Sequence, residues 1–285
     1  MTLKVAIPDT SLIDCTDLRQ KTVKVGQIAR AAVIFRVEEV IVYSTGKLPA
    51  TQTKDADLLV KLLRFLDTPQ YLRRRVFSQS PSLQYAGLLP PLRTRSHPLL
   101  STVRDLTVGT MRWGIQVRPG KIDLGLDELI DSSTIVSERD PTLFRVEATT
   151  PVMSLAVISR SDAPVYWGYI ASRTGSLLEL LKESSDTTRI GFSRKAPPFQ
   201  KLEKDLKSTV SNTGSVLAVF GSPDRGILEL CDSQREEVKR HIDFWANTVD
   251  DQGSETVRLE EALTVSLGLL NSSVGKAIAR PGFYG

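Results

Sequence analysis

The chain has 285 residues, 41 % of them hydrophobic and 25 % charged, the balance of an ordinary globular protein, which excludes a disordered, collagenous or coiled-coil chain. That length exceeds what one small core needs, so two domains, or one domain carrying an insertion, are expected. The net charge of +4 is modest, and no apolar run approaches the roughly 20 residues that cross a bilayer.

The amino-terminal segment MTLKVAIPDT lacks a basic head before an apolar stretch, so no export and no membrane are expected, and the cytoplasm is the expected compartment. An apolar strand, LKVAIPD, leads to a helix in which Val25, Ile28, Ala32 and Phe35 recur at helical spacing, and then to a second strand, EVIVYS. This is a βαβ unit in outline. A second helix, DADLLVKLLRFLD, is ended by Pro69, and the stretch from Tyr71 to Leu100 mixes proline, arginine and aromatic residues without a period. From Thr102 to Tyr169 short segments rich in Val, Ile and Thr (LTVGTMRWGIQVR, STIVS, LFRVEATT, VMSLAVIS, VYWGYI) are separated by turn residues, which predicts a small all-β barrel or sandwich, with an oligonucleotide-binding (OB) barrel the natural candidate beside a basic neighbour. A helix from Arg173 to Glu183 is expected next, then strands at TTRIGFS and SVLAVFG with a helix between them. A short helix, a strand at HIDFWAN and a final helix at TVRLEEALTVSLGLLN, capped by Ser254 or Thr256, complete the chain. The α/β series is thus interrupted by a β module and resumed, giving segments 1–101, 102–169 and 170–285.

Charge is concentrated. Between Lys61 and Arg118 ten lysines and arginines face two acids, whereas residues 119–163 carry four basic and eight acidic side chains. A concentrated cationic surface suits a polyanion, because neutralising phosphates releases counterions. A solvated basic face without a partner is the plainer reading.

Several chemistries lack their motif. There is no phosphate-binding loop ending in Gly-Lys-Ser/Thr and no Gly-x-Gly-x-x-Gly after the first strand. Cys15, Cys231, His97 and His241 are too few for most structural metal sites, so no metal is expected, and no elbow motif surrounds a nucleophile. What remains is a set of small-residue loops after the late strands: GFSR at 191–194, FGSPDRG at 220–226 and ANTVDDQGSETVRLEEA at 246–262. In open α/β sheets that edge is where ligands bind.

These loops, with GQIARA at 26–31, PQYLR at 69–73, LQYAGLLPPL at 83–92 and YWGY at 166–169, resemble the SPOUT-class methyltransferases. The resemblance is to the branch in which an OB-like barrel interrupts an α/β knot, with archaeal members and a human centromere-associated one. It implies an α/β fold: a trefoil-knotted parallel sheet with helices on both faces, interrupted by the small all-β barrel. It also implies a homodimer that binds S-adenosyl-L-methionine in the knot loops. Carried onto this chain, the cofactor residues are Ser193, Phe220, Gly221, Ser222, Pro223, Trp245, Asn247, Val249, Gln252, Gly253, Ser254 and Val257. Where relatives show a glycine-rich run this chain has GFSRK.

The resemblance further implies methylation of RNA, with uridine N3 of large-subunit ribosomal RNA as the leading target; the alternative is an RNA- or ribosome-binding protein that keeps the fold without turnover. N3 lies on the Watson–Crick edge, so the uridine must be unpaired, its proton removed and the charge on O2 and O4 stabilised. Arg30 is the first choice for that stabilisation, His97 the candidate base and Arg194 a further catalytic candidate. Arg73, Arg74, Arg75, Arg93 and Arg95 are read as contacts to the RNA backbone.

Overall fold

The structure is a computed structural model that describes residues 2–99, 101–278 and 281–282. Strand β1 (Thr2–Pro8), helix α1 (Leu18–Ile34) and strand β2 (Glu39–Ser44) form the expected βαβ unit, with β1 and β2 parallel. Asp17 sets the start of α1: its carboxylate accepts from the Gln20 amide at 2.8 Å and satisfies one of the otherwise unpaired first-turn donors. Helix α2 (Ala50–Asp67) stops at Thr68, in extended conformation as a residue before proline must be, and the short α3 (Gln70–Val76) follows.

The inserted module then supplies β3 (Met111–Arg118), β4 (Lys121–Asp123), β5 (Ile130–Asp131), β6 (Thr142–Ala148) and β7 (Ser154–Ile158). These pair antiparallel in the order β5-β4-β3-β6-β7. No ladder among the described residues joins β5 to β7, so backbone pairing leaves the sheet open. Ile122, Leu124, Ile130 and Phe144 form a small core on one side, and Met111, Leu143, Ala163 and Trp167 a second on the other.

The chain returns through β8 (Ile170–Ser176), α4 (Leu177–Glu183), β9 (Thr188–Phe192), α5 (Phe199–Thr213), β10 (Ser215–Val219), α6 (Arg235–His241), β11 (Phe244–Ala246) and α7 (Leu259–Ile278). The main sheet is parallel throughout, ordered β11-β9-β10-β1-β2-β8. Alternation along β1 assigns its faces: Leu3, Val5 and Ile7 pack with residues of α1, α2, α5 and α7, whereas Ala6 joins the layer of α4 and α6. Both faces are covered, the usual condition for a parallel sheet. Buried Lys24 of α1 bonds Asp14 at 2.6 and 2.7 Å and lies 3.3 Å from Glu260, which ties the first turn of α7 to α1.

Four expectations are corrected. Residues 133–137 are not a strand, because the module pairs the shorter segments at 121–123 and 130–131 instead. VYWGYI contributes no module strand: Ile170 opens β8, which joins the main sheet beside β2. Arg173 to Ser176 belong to that strand, and the helix begins only at Leu177, where Ser176 accepts from the Glu179 amide and Glu179 reaches back to the Ser176 amide. Neither Ser254 nor Thr256 caps α7; Ser254 Oγ donates to the Thr256 carbonyl, and Glu261 accepts from the Arg258 amide at the true start.

The two ends of the insertion meet at Asp67. Its carboxylate pairs with Arg160 and accepts from the Tyr169 amide at 3.1 Å, and Arg160 also donates to the Tyr169 carbonyl at 2.8 Å. The Arg160 guanidinium stacks 4.7 Å above the Trp113 ring of β3. Gly168, at φ +88°, is what allows the chain to pass Asp67 so closely. Arg160 and Asp67 keep only 22 % and 11 % of their side-chain surface exposed, so removing one partner leaves a charge largely out of water. Asp67→Ala is expected to lower stability by about 3 kcal/mol, the lower end for a buried pair given the residual exposure of Arg160. Urea denaturation checks this, and an unchanged midpoint would refute the role given to the pair.

Candidate functional site

The three small-residue loops converge on one pocket of about 360 Å³ at the carboxyl ends of β9, β10 and β11. That carboxyl edge of the parallel strands is where open α/β sheets bind ligands. The first and third loops are fastened to each other through the backbone: Ser193 N donates to the Ala246 carbonyl at 3.0 Å, Asn247 N to that of Pro197 at 2.8 Å and Phe199 N to that of Asn247 at 2.8 Å. The Thr248 and Ser266 hydroxyls, 2.8 Å apart, anchor the third loop to α7.

The floor is apolar. The rings of Phe192 and Phe220 stack with centroids 4.9 Å apart, and Val249, Val257, Leu259 and Ala262 continue the surface. Above it the rim is polar and balanced, with Arg194, Lys195 and Arg225 set against Asp224, Glu229 and Glu255. Lys195 bonds Glu229 at 2.9 Å, and that bond holds the Glu229 carboxyl below its usual range. Gly221 has no room for a side chain: a Cβ there would lie 2.7 Å from the Arg225 carbonyl, so the second loop turns this tightly only with glycine. The Gln252 side chain donates to the Ser254 and Glu255 carbonyls at 2.8 and 3.0 Å and thereby shapes the third loop.

Of the residues singled out from sequence, Ser193, Arg194, Phe220, Gly221, Ser222, Pro223, Asn247, Val249, Gln252 and Val257 line this pocket together. Trp245 does not: its ring lies across Gly191, where a Cβ would stand 2.8 Å away. Gly253 and Ser254 belong to the third loop but lie outside the lining. The lining residues that sequence reading did not name individually include Phe192, Thr248, Ala262 and Ser266. The two α7 residues carried a signal in hindsight, since they lie one turn apart on the buried face of an amphipathic helix.

Two catalytic candidates lie elsewhere. Arg30 is absent from the lining; its guanidinium donates to the Leu92 and Pro91 carbonyls at 2.8 and 3.3 Å, tying α1 to the loop that follows α3. His97 belongs to the Asp67 junction. Its Nε2 faces the Leu66 carbonyl at 3.1 Å, an acceptor only, so Nε2 carries the hydrogen and Nδ1 accepts from the Thr94 or Ser96 hydroxyl at 2.9 or 3.1 Å. With both nitrogens engaged, the ring is a structural brace and has none left for a substrate proton.

The basic stretch divides likewise. Arg73 donates to the Thr68 and Leu66 carbonyls at 2.9 and 3.1 Å and covers Phe65, and desolvation pushes its pKa down. Arg75 pairs with Asp123 of the module, and fully buried Arg112 donates to the Leu124 carbonyl at 2.9 Å. Arg74, Arg93 and Arg95 are exposed. Among the described residues no cluster of three His, Cys, Asp or Glu could hold a metal ion. Burial pushes the Cys15 and Cys231 thiols up to about 11, which keeps both protonated at neutral pH.

Burial lowers the pKa of His97 from its ordinary 6.5, against the opposing pull of Asp67. The unfolded chain therefore binds more protons than the native one just below that value, so the contribution is complete above about pH 6.5 and is lost as pH falls. His97→Gln is expected to reduce the drop in urea midpoint between pH 7.5 and pH 5; an identical drop in both proteins would refute this.

A family model described as "Putative RNA methyltransferase" matches residues 2–270. An uncharacterized protein of Halobacterium salinarum is 31 % identical over 95 % of this chain and 99 % of its own. The 28S rRNA (uridine-N(3))-methyltransferases of Homo sapiens and Drosophila melanogaster are 28 % and 27 % identical, each over 98 % of this chain and over 80 % and 63 % of their own lengths. The match takes in both halves of the α/β domain, the module between them and every pocket-lining loop; the chain belongs to this RNA methyltransferase family and is an enzyme that methylates RNA.

Proposed function

We propose that the three-loop pocket binds S-adenosyl-L-methionine and that the substrate is a uridine of large-subunit ribosomal RNA, methylated at N3. The observation that carries the cofactor assignment is the Gly221 turn over the stacked Phe192 and Phe220 rings. An apolar floor suits a purine, and a rim with three side chains of each sign suits a ligand that carries an ammonium and a carboxylate together. When bound, the cofactor supplies an electrophilic methyl group on a sulfonium. The target follows the activity for which the human and fly relatives are named.

The protein's own part is to hold and polarise the acceptor. Arg194, on the rim with its guanidinium 3.3 Å from the Glu255 carbonyl, is assigned to the oxygens on which negative charge develops as the imide proton passes to solvent. Exposed Arg74, Arg93 and Arg95 are assigned to the RNA backbone, while Arg75 pairs with Asp123 of the module and Arg73 bonds the end of α2.

The chain is assigned to the SPOUT class, with the carboxyl-terminal segment threading a knot. The bonds between 193–199 and 246–247, followed by the return of α7 against α1 and α5, support that path. The module is read as OB-like. A homodimer is part of the same proposal and gives Arg30 a place to act: lying outside the pocket of its own chain, it reaches a reacting uridine only in the site of a second copy.

Titration calorimetry should give saturable binding of S-adenosyl-L-methionine, reduced at least about tenfold in Gly221→Ala. No binding at millimolar cofactor would overturn the assignment. Mass spectrometry of ribosomal RNA from a deletion strain should show one 3-methyluridine missing, and an unchanged profile would count against the target. Arg30→Ala should lose turnover while keeping cofactor affinity. Mixing it with Gly221→Ala protomers should recover part of the activity, and failure to recover any argues against action across two copies.

A further inference from the structure

We propose that the seam between the α/β domain and the inserted module is a second RNA-contacting groove, which takes a short unpaired stretch of the substrate strand away from the methyl-transfer pocket. The proposal rests on the reading of the protein as a ribosomal RNA methyltransferase. Three adjoining hollows run along the seam. The first, about 470 Å³, is bounded by Lys61, Arg64 and Arg173 against one carboxylate, Asp57. It shares Arg64, Val76 and Phe77 with the second, about 320 Å³. The second shares Trp113, Pro141, Arg160 and Ile170 with the third, about 650 Å³, so the three lie in series along the seam and together make the groove proposed.

Its chemistry changes along its length. At the first hollow the cations outnumber the acids, and Arg64 donates only its Nε, to the Ala171 carbonyl at 3.1 Å; its two Nη groups make no hydrogen bond among the described residues. That end suits phosphate oxygens. The middle offers aromatic surface from Phe77 and Trp113. Trp113 borders both the second and third hollows, and its indole N–H has no acceptor among the described residues. That N–H is itself buried, so what Trp113 offers the hollows is its ring surface. A duplex keeps its base faces stacked inside, so cations followed by aromatic surface fit an unpaired strand.

The groove follows β8, whereas the pocket lies at the ends of β9, β10 and β11, with β2 and β1 between. Three or more strand spacings, about 14 Å, separate them. Occupancy of the groove therefore acts on substrate affinity and leaves the methyl-transfer step alone.

The test uses the full chain, fluorescence anisotropy with a labelled ten-nucleotide polyuridine, and methylation of ribosomal RNA. Arg64→Gln, Phe77→Leu and Trp113→Phe should each weaken oligonucleotide binding about tenfold, raise KM for RNA and leave kcat and calorimetric cofactor affinity unchanged. Ordinary affinity in all three variants overturns the groove, and that is the result expected if a protein segment docks there instead. Preferred binding of a duplex of equal length overturns it too. Should any variant misfold, photocrosslinking of 4-thiouridine oligonucleotides to the wild type decides: crosslinks within 61–78 or 111–118 support the groove, and crosslinks confined to 193–257 refute it. Wild-type protein that methylates ribosomal RNA but binds no single strand refutes the groove alone. Failure to bind cofactor or methylate RNA strikes the function reading, and the groove falls with it.

Discussion

The Asp67 carboxylate closes an interrupted domain. It bonds an amide 102 residues away in sequence, at Tyr169, and pairs with Arg160 at the far end of the module. Without such a tie, β8 would have to find β2 across the whole insertion, with the loop-closure entropy that implies. The surroundings are built for it: Gly168 lets the chain pass, Trp113 covers the guanidinium, and His97 and Arg73 bond the last carbonyls of α2 beside it. The pocket depends on this closure indirectly, because β8 leads through α4 into β9, whose end carries the first pocket loop.

The concentrated positive charge has a double use that its count in sequence conceals. Lys61, Arg64, Arg73, Arg75 and Arg112 lie in one basic stretch, yet each donates to a protein acceptor at or near the seam. Arg112 is wholly buried, its charge held by carbonyls and by the face of Tyr71 at 5.0 Å. Guanidinium suits this work because one planar group can serve several carbonyls while stacking on a ring. Beside the cations that border the seam hollow, the exposed Arg74 and Arg93 are available to a polyanion.

At the pocket the division of labour is different. Backbone bonds between the first and third loops fix the frame, glycine at 221 makes the tight turn of the second, and stacked phenylalanines supply a floor that needs no polar partner. The polar side chains stand mainly on the rim, where ion pairs such as Lys195 with Glu229 are solvent-exposed and contribute little to stability. A frame held by the backbone leaves those side chains free to meet a ligand.

Alternating apolar strands and periodic helices, an interrupting Val- and Thr-rich stretch and three Gly/Ser loops were legible because each is a local pattern of period two, of period 3.6 or of turn residues. Ten of the residues taken from those loops line one pocket for the same reason: strands that run parallel deliver their trailing loops to a single edge. Which sheet a strand joins is decided by partners distant in sequence, and so Ile170 to Ser176, readable as the end of a module and the start of a helix, became the edge of the main sheet. The same holds for His97 and Arg73, whose types suggested chemistry or RNA contact and whose neighbours made them braces. A side chain's type sets what it can bond; only the folded neighbourhood sets which bond it makes, and at the seam of this protein the neighbourhood left little choice.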